Sequence, residues 1–498
     1  MFPNQVLYIT IFFCIFSNVR AQHYLKLGPS LETKNTDRTY ALIDADSSQY
    51  ALMRSDKEFR YAETEIYDRN LNLLNNFEST KDRRNYGGVL NLEGRLYMIF
   101  SKYRLNAQLQ QYEDVSLWAM PMNRDSFCVG TDSFALVEPF TLKSAFYRGN
   151  FVLSPDRSKL LVYDWEEEGD IEEVKGLTNE IMLRVYDNQF NLLWSRKVYL
   201  APNSSGKRVM SIKKLRVSNS GEAAILTDYF RNHRSYSLKE VTADPTLFFV
   251  GEKAADFSRL TPNLGNLFFN ELDFMYDAEG NIIWFGFYSN RKYHQQAGYF
   301  YIKINAARNK ILSKKISSFD TEIIKSLINK KKLKSSDELR NFEIAYFKIS
   351  RNGDLIVSAE RRPYGVANYK SHDILLLRFD SLGNLLWSKH IFKYNIFPQS
   401  MKVFLDHYLQ IDNEDIYLLF NQGIYAETGL AKAVKIDRNG HLIEKTVMNY
   451  LNSENVICPT LCSPLPKGKT FINLQSLFFK YHQSGIIDFR KLFTMDSN

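Results

Sequence analysis

Cysteine and histidine are scarce in this 498-residue chain, with four of the first and eight of the second. They are also dispersed: CxxC, HxxH and HExxH do not occur, so the sequence offers no metal site at the usual ligand spacings. GxSxG is absent as well. "SPLPKGKT" ends like a phosphate-binding loop but has Ser463 where the first Gly is required, and "SSGK" at 204–207 has only the SxxK spacing. Beyond the N-terminus no stretch approaches 18 apolar residues, which excludes a transmembrane helix there. No linker rich in Pro, Gly or Ser divides the chain. Basic residues exceed acidic ones by only eight, 64 against 56, and lie scattered, so nucleic acid is not an expected partner.

What the chain has in quantity is a repeated phrase. "RVYDNQFNLLW" around Asp187 and Trp194 and "RFDSLGNLLW" around Asp380 and Trp387 are its best copies, with weaker ones at Asp68, Asn305 and Asp437. Alternating apolar residues on both sides of an Asp/Asn/Gly turn specify two antiparallel strands joined by a tight hairpin. A second hairpin type alternates with the first, its turns at Gly94, 154–158, Gly221, Gly280, Gly353 and Glu414. Together they recur at about 60 residues, enough for the four strands of a propeller blade. The expected fold is therefore all-β, a single β-propeller of eight four-stranded blades running from 40–80 to 456–496. The alternative is seven blades, with residues 22–60 as an extra strand and cap. Aromatic residues, 14% of the chain, suit the face-packed surfaces of stacked sheets.

The N-terminus reads as an export signal. "LYITIFFCIF" is too short to span a bilayer, and Val19 and Ala21 stand at the −3 and −1 positions of a cleavage site. Residues 1–21 are accordingly assigned to a signal peptide and 22–498 to the propeller, with a helical insertion at about 320–341 that Asp320 or Thr321 can cap. In an oxidising compartment Cys458 and Cys462 can pair across "CPTLC"; the other reading is two buried thiols. The repeated turns, including "SPD" at 154–156, are similar to blades of pyrroloquinoline-quinone-type and WD40-like propellers. More closely, "ISRNGDLIVSAERRPY" through "DILLLRFDSLGNLLWSKHIFKYN" resembles a set of exported Bacteroidetes-type propeller proteins of uncharacterised function, over about residues 270–450. That resemblance implies a fold and an export route, and no activity.

In the repeated turns every residue has a structural duty: Asp accepts turn amides, Gly takes a positive φ and Trp covers the neighbouring sheet. No catalytic, cofactor-binding or metal-ligating residue is assigned. Two features stand apart. "DWEEEGDIEE", with Trp165, Glu166, Glu167, Glu168 and Asp170, is expected to form a loop between the hairpins of blade three, to be read as a solvated insertion or as a contact for a cationic partner or a divalent cation. The helix at 320–341 either covers the ring or docks another protein. The expected function is a non-catalytic binding or scaffold module at the cell envelope or outside the cell, monomeric, with a protein or glycan partner. The competing expectation is a hydrolase or oxidoreductase in the central funnel, which converging carboxylates or histidines would favour.

Overall fold

The computed structural model describes residues 24–494 apart from 33–38, 46–48, 56–61, 81–84, 107–110, 124–132, 143–149, 166–179, 201–209, 230–244, 266, 291–294, 329–336, 363–367, 399–402, 426–427, 452–454 and 477–480. Its strands form eight antiparallel blade sheets, the eight-bladed propeller that the repeat predicts, and a short two-stranded ladder of Gln295–Gln296 with Leu339–Arg340. Blade 1 is Thr39–Ala45, Gln49–Ser55, Ala62–Asp68 and Leu73–Thr80, and blades 2 to 4 repeat that meander as far as Leu260. Blade 5 is Phe268–Tyr276, Ile282–Ser289, Gly298–Ile304 and Ile311–Ser318. Blade 6 is Phe342–Ile349, Leu355–Arg361, Asn368–Phe379 and Leu385–Pro398. Blade 7 is His407–Asp412, Asp415–Tyr425, Thr428–Ile436 and Leu442–Leu451. Blades 3 to 6 meet through their first strands, which therefore surround the centre of the ring.

Blade 8 departs from the expected span of 456–496. Its inner positions come from the C-terminal part, Val456–Ile457, Ser463–Leu465, Lys469–Gln475 and Tyr481–Asp488, but its outermost strand is Leu25–Glu32. Leu25 pairs with Ile487 and Glu32 with Tyr481. The two ends of the described chain are thus joined by one ladder. An open ring would leave the edge of Tyr481–Asp488 unpaired, and the N-terminal strand removes that edge. The segment that a seven-bladed reading would use as a cap is therefore split, one part closing blade 8 and the rest opening blade 1.

The period of two in each strand builds the core between blades. In blade 6, Val357, Ala359, Leu375 and Leu377 face blade 5, where they meet Phe285, Tyr299 and Tyr301. Ile356, Ile374 and Leu376 point the other way, to Leu409, Ile416 and Leu418 of blade 7. Each sheet is therefore buried on both faces, and burying one such side chain stabilises by about 1.5–3 kcal/mol.

The turns carry the sequence motif. Asp68, Asp187, Asp277, Asp380 and Asp437 each accept two backbone amides on Oδ1, from the residues two and four positions on. Oδ2 takes the side chain of that fourth residue, Asn72, Asn191, Asn281, Asn384 or His441. For Asp187 and Asp380 partial burial acts against ionisation, and the bonds from Asn191 or Asn384 and the turn amides outweigh it, holding these carboxyls below the usual range. Gly383 has φ of 83°, and a Cβ there would lie 2.2 Å from the Tyr301 ring. Trp194 Nε1 donates to Gly221 of blade 4 and Trp387 Nε1 to Arg438 of blade 7, so each indole caps a turn of the next blade.

Helix is present outside 320–341 too: Phe489–Thr494 packs Phe489 against Tyr417, and 3-10 turns lie at Ala254–Asp256 and Pro459–Leu461 among the described residues. The expected helix is Thr321–Ile328, and Asp320 caps it through a 2.8 Å bond from the Glu322 amide to its Oδ1. Ile323 and Leu327 sink into the seam between blades 5 and 6, and the helix touches the outer strand of blade 6. It covers a seam at the rim. Lys330, Lys331, Lys332 and Lys334 lie outside the described residues.

Candidate functional site

The first strands are irregular where they could have been regular. Their ladders shift register between Leu42 and Asp44, Tyr86 and Gly88, Ile212 and Lys214, Phe269 and Leu272, and Ile344 and Tyr346. A bulge leaves a residue unpaired and re-aims its neighbours, a device common beside functional sites. On blades 4 and 5 these bulges carry charge. Lys213 and Lys214 are exposed, and Lys214 Nζ lies 3.3 Å from Asp273 on blade 5.

Glu271, within the blade 5 bulge, is half-buried, and its Oε2 accepts the Ile344 amide of blade 6 at 3.3 Å. Burial lifts its carboxyl to about 7 against the effect of that hydrogen bond, and the Glu343 charge adds to the rise. Glu343 is in turn held by Arg362 at 3.0 Å, and Arg362 reaches Asp406 of blade 7 at 2.5 Å. Other inner cations are committed to structure. Arg216 donates to the Phe274 carbonyl and Lys348 to the Leu409 carbonyl, each tying its strand to the next blade. Burial lowers Lys348 to about 8. The wall of blades 4 to 6 thus presents the exposed ammonium of Lys213, and that of Lys214 shared with Asp273, beside a carboxyl able to hold its proton near neutrality.

A second polar cluster lies between blades 6 and 7. Ser358 Oγ is 2.7 Å from His407 Nε2, and His407 Nδ1 is 2.9 Å from Glu360 Oε2. This is the connectivity of a serine nucleophile, its base and the orienting acid. Burial lowers the His407 pKa, so the imidazole is neutral; with its proton on Nδ1 it donates to Glu360 and accepts the Ser358 hydroxyl. Glu360 also takes Lys393 and the Ser371 hydroxyl. Burial works against its ionisation, and the Lys393 charge and the His407 bond outweigh it, holding the carboxyl far below the usual range.

Ser358 and Glu360 are 0% exposed and His407 1%, so no substrate carbonyl can reach the hydroxyl. A related cluster pins the closing seam, where Glu65 of blade 1 binds His482 of blade 8 at 2.9 Å, Arg54 at 2.8 Å and the Tyr67 hydroxyl at 2.7 Å. Recurrence at two seams marks these networks as fastenings between blades.

A groove of about 560 Å³ lies between the first-hairpin turns of blades 6 and 7, lined by Ser350, Arg351, Asn352, Asp412 and Glu414. Its carboxylates are already paired, Asp412 with Arg490 and Glu414 with Arg378. Cys458 and Cys462 are free thiols in the structure. They flank the Pro459–Leu461 turn, with Cys462 Sγ on the Cys458 carbonyl and Cys458 Sγ directed to Val456 O and Gln475. Burial raises both thiols. Trp165 ends the strand Lys159–Trp165, its backbone paired with Ile181; its side chain, Glu166, Glu167, Glu168 and Asp170 lie outside the described residues.

Sequence reading finds none of Lys213, Glu271, Glu343, Ser358, Glu360 or His407. Only the i, i+2 pair Ser358 and Glu360 leaves a local trace, two polar residues on one face of an apolar strand.

No family model and no curated protein matches the chain. Solved structures similar to it include a prolyl endopeptidase, at 10% identity and TM-score 0.39 over 89% of this chain and 53% of that one. Another is an ulvan lyase of polysaccharide lyase family PL25, at 9% identity and TM-score 0.36 over 91% and 95%. A third is the WD40 domain of SCAP from fission yeast, at 9% identity and TM-score 0.31 over 93% and 97%. The chain spans about half the length of the prolyl endopeptidase it matches.

Proposed function

We propose that this propeller is an exported binding module, working at the cell envelope or outside the cell, that holds a glycan or protein ligand through an anionic group at the inner wall of blades 4 to 6. The observation that carries the reading is the exposure of Lys213 and Lys214 on a bulged inner strand beside Glu271. Two ammonium groups attract the anion, and a protonated Glu271 donates a hydrogen bond to it without repelling it. Export rests on residues 1–21, and cleavage after Ala21 leaves the ring-closing strand Leu25–Glu32 intact. The test is a screen of acidic and neutral glycans and envelope proteins against the native chain and Lys213→Ala/Lys214→Ala. Binding that requires an anionic group and falls at least tenfold in the double variant supports the reading, whereas equal binding by both chains contradicts it.

One observation favours a second reading, a hydrolase with its centre in the same funnel. A carboxyl near 7 beside a second carboxylate, Glu343, is the division of labour that a general acid and its partner need. Turnover of a screened glycan that Glu271→Gln abolishes, with binding retained, would select this reading over pure binding.

A further inference from the structure

A serine, a histidine and a carboxylate meet a second time on the opposite face of blade 6, with the two imidazole nitrogens in exchanged roles. His390 lies on the outer strand Leu385–Pro398 and Asp373 on the adjacent strand Asn368–Phe379; both point toward blade 5 and the helix Thr321–Ile328. Ser326 is exposed on that helix. Its Oγ is 2.5 Å from His390 Nδ1, and His390 Nε2 is 2.9 Å from Asp373 Oδ1. Asp373 is 9% exposed, with Arg361 3.7 Å away.

We propose that Ser326 is an acyl-accepting nucleophile for activated carboxylic esters. Accepting at Asp373 places the imidazole proton on Nε2 and leaves the Nδ1 lone pair on the Ser326 hydroxyl, the arrangement of nucleophile, base and orienting group. Oγ bonds to the ester carbonyl carbon as its proton passes to Nδ1, and the carbonyl π pair moves onto oxygen. When the tetrahedral adduct collapses, the carbon–alkoxide bond breaks and Nδ1 returns the proton to the leaving alcohol. The acyl group stays on Oγ. Water then repeats the sequence, giving the carboxylic acid and free Ser326. Ser326 stands in the last turn of its helix, where the dipole is negative and opposes a developing oxyanion. The site is therefore suited to esters with good leaving groups, such as aryl esters. This chemistry is independent of the ligand at the inner wall, more than one strand away.

The experiment treats the full native chain with a fluorophosphonate probe and with p-nitrophenyl acetate and maps the modified residue by peptide mass spectrometry. Ser326 is expected to be the principal site, with p-nitrophenol released in a burst. Ser326→Ala, a change at an exposed helical position, should abolish the burst, and His390→Gln should slow labelling about a hundredfold. Asp373→Asn should slow it too while leaving Ser326 exposed, because an amide can stabilise the wrong tautomer. Label spread over surface serines without preference, or equal rates in native and His390→Gln chains of the same melting temperature, would overturn the proposal. If His390→Gln does not fold, the Ser326→Ala arm alone decides: an undiminished burst overturns it.

Discussion

Blade 6 carries a serine, histidine and carboxylate chain against each of its two faces; the imidazole is reversed between them, Nε2 meeting Ser358 in one and Nδ1 meeting Ser326 in the other, and they differ above all in access. On the face toward blade 7, Ser358, His407 and Glu360 are sealed, and Lys393 and Ser371 complete the carboxylate's coordination. On the face toward the helix, Ser326 is exposed and His390 half-buried. The same three groups become a fastener when buried between blades and a reagent when one end meets solvent. Connectivity alone does not make a catalytic site; the hydroxyl must also be reachable.

The contrast is sharpest in stability. Lys393→Ala leaves Glu360 charged, buried and short of its main partner, and should destabilise the fold by about 3–5 kcal/mol in urea unfolding. A cost below about 1 kcal/mol would show that the sealed chain is no fastener. The tryptophans repeat the pattern of sealed against open. Trp284 is 0% exposed in the blade 4 to blade 5 core, and Trp284→Ala should cost about 3–5 kcal/mol. Trp387 is half-buried, caps one turn, and should cost about 1–2 kcal/mol on the same scale, less than a fully buried indole would.

Acid and base act oppositely on the two kinds of carboxylate. Glu360 is held below the usual range, so its stabilising contribution is present above its unfolded value and is lost as pH falls through the folded one. Glu271 is raised from 4.5 to about 7, so its contribution is full below 4.5 and disappears as pH rises to 7. Glu271→Gln should therefore remove part of the fall in stability between about pH 4.5 and 7, seen as a flatter melting-temperature profile. An unchanged profile would contradict the raised carboxyl. The smallest expected effect is at the open chain, where Ser326→Ala should change stability by no more than about 0.5 kcal/mol.

The blades were legible because each hairpin states its own turn. Asp187 with Asn191 and Asp380 with Asn384 are local pairs, and strand alternation on either side needs no distant partner. Blade 8 was less legible, since Leu25–Glu32 lacks such a turn and its partner strand lies at the other end of the described chain. The polar sites were almost invisible: Ser358 and His407 are 49 positions apart and meet only by blade stacking, and Ser326 and His390 are 64 apart and meet only where the helix docks on the outer strand of blade 6. A propeller brings its polar groups together from different elements, so apart from the Ser358 and Glu360 pair on one strand sequence spacing carries little trace of them.

The most direct test of the difference between the two chains is the fluorophosphonate labelling rate at Ser326 and Ser358, measured across a urea unfolding transition. The account predicts fast labelling at Ser326 and none at Ser358 in the native protein, with Ser326 falling to the rate of an ordinary serine as the fold is lost. A Ser326 rate that stays constant through unfolding, or modification of Ser358 in the native protein, would contradict it.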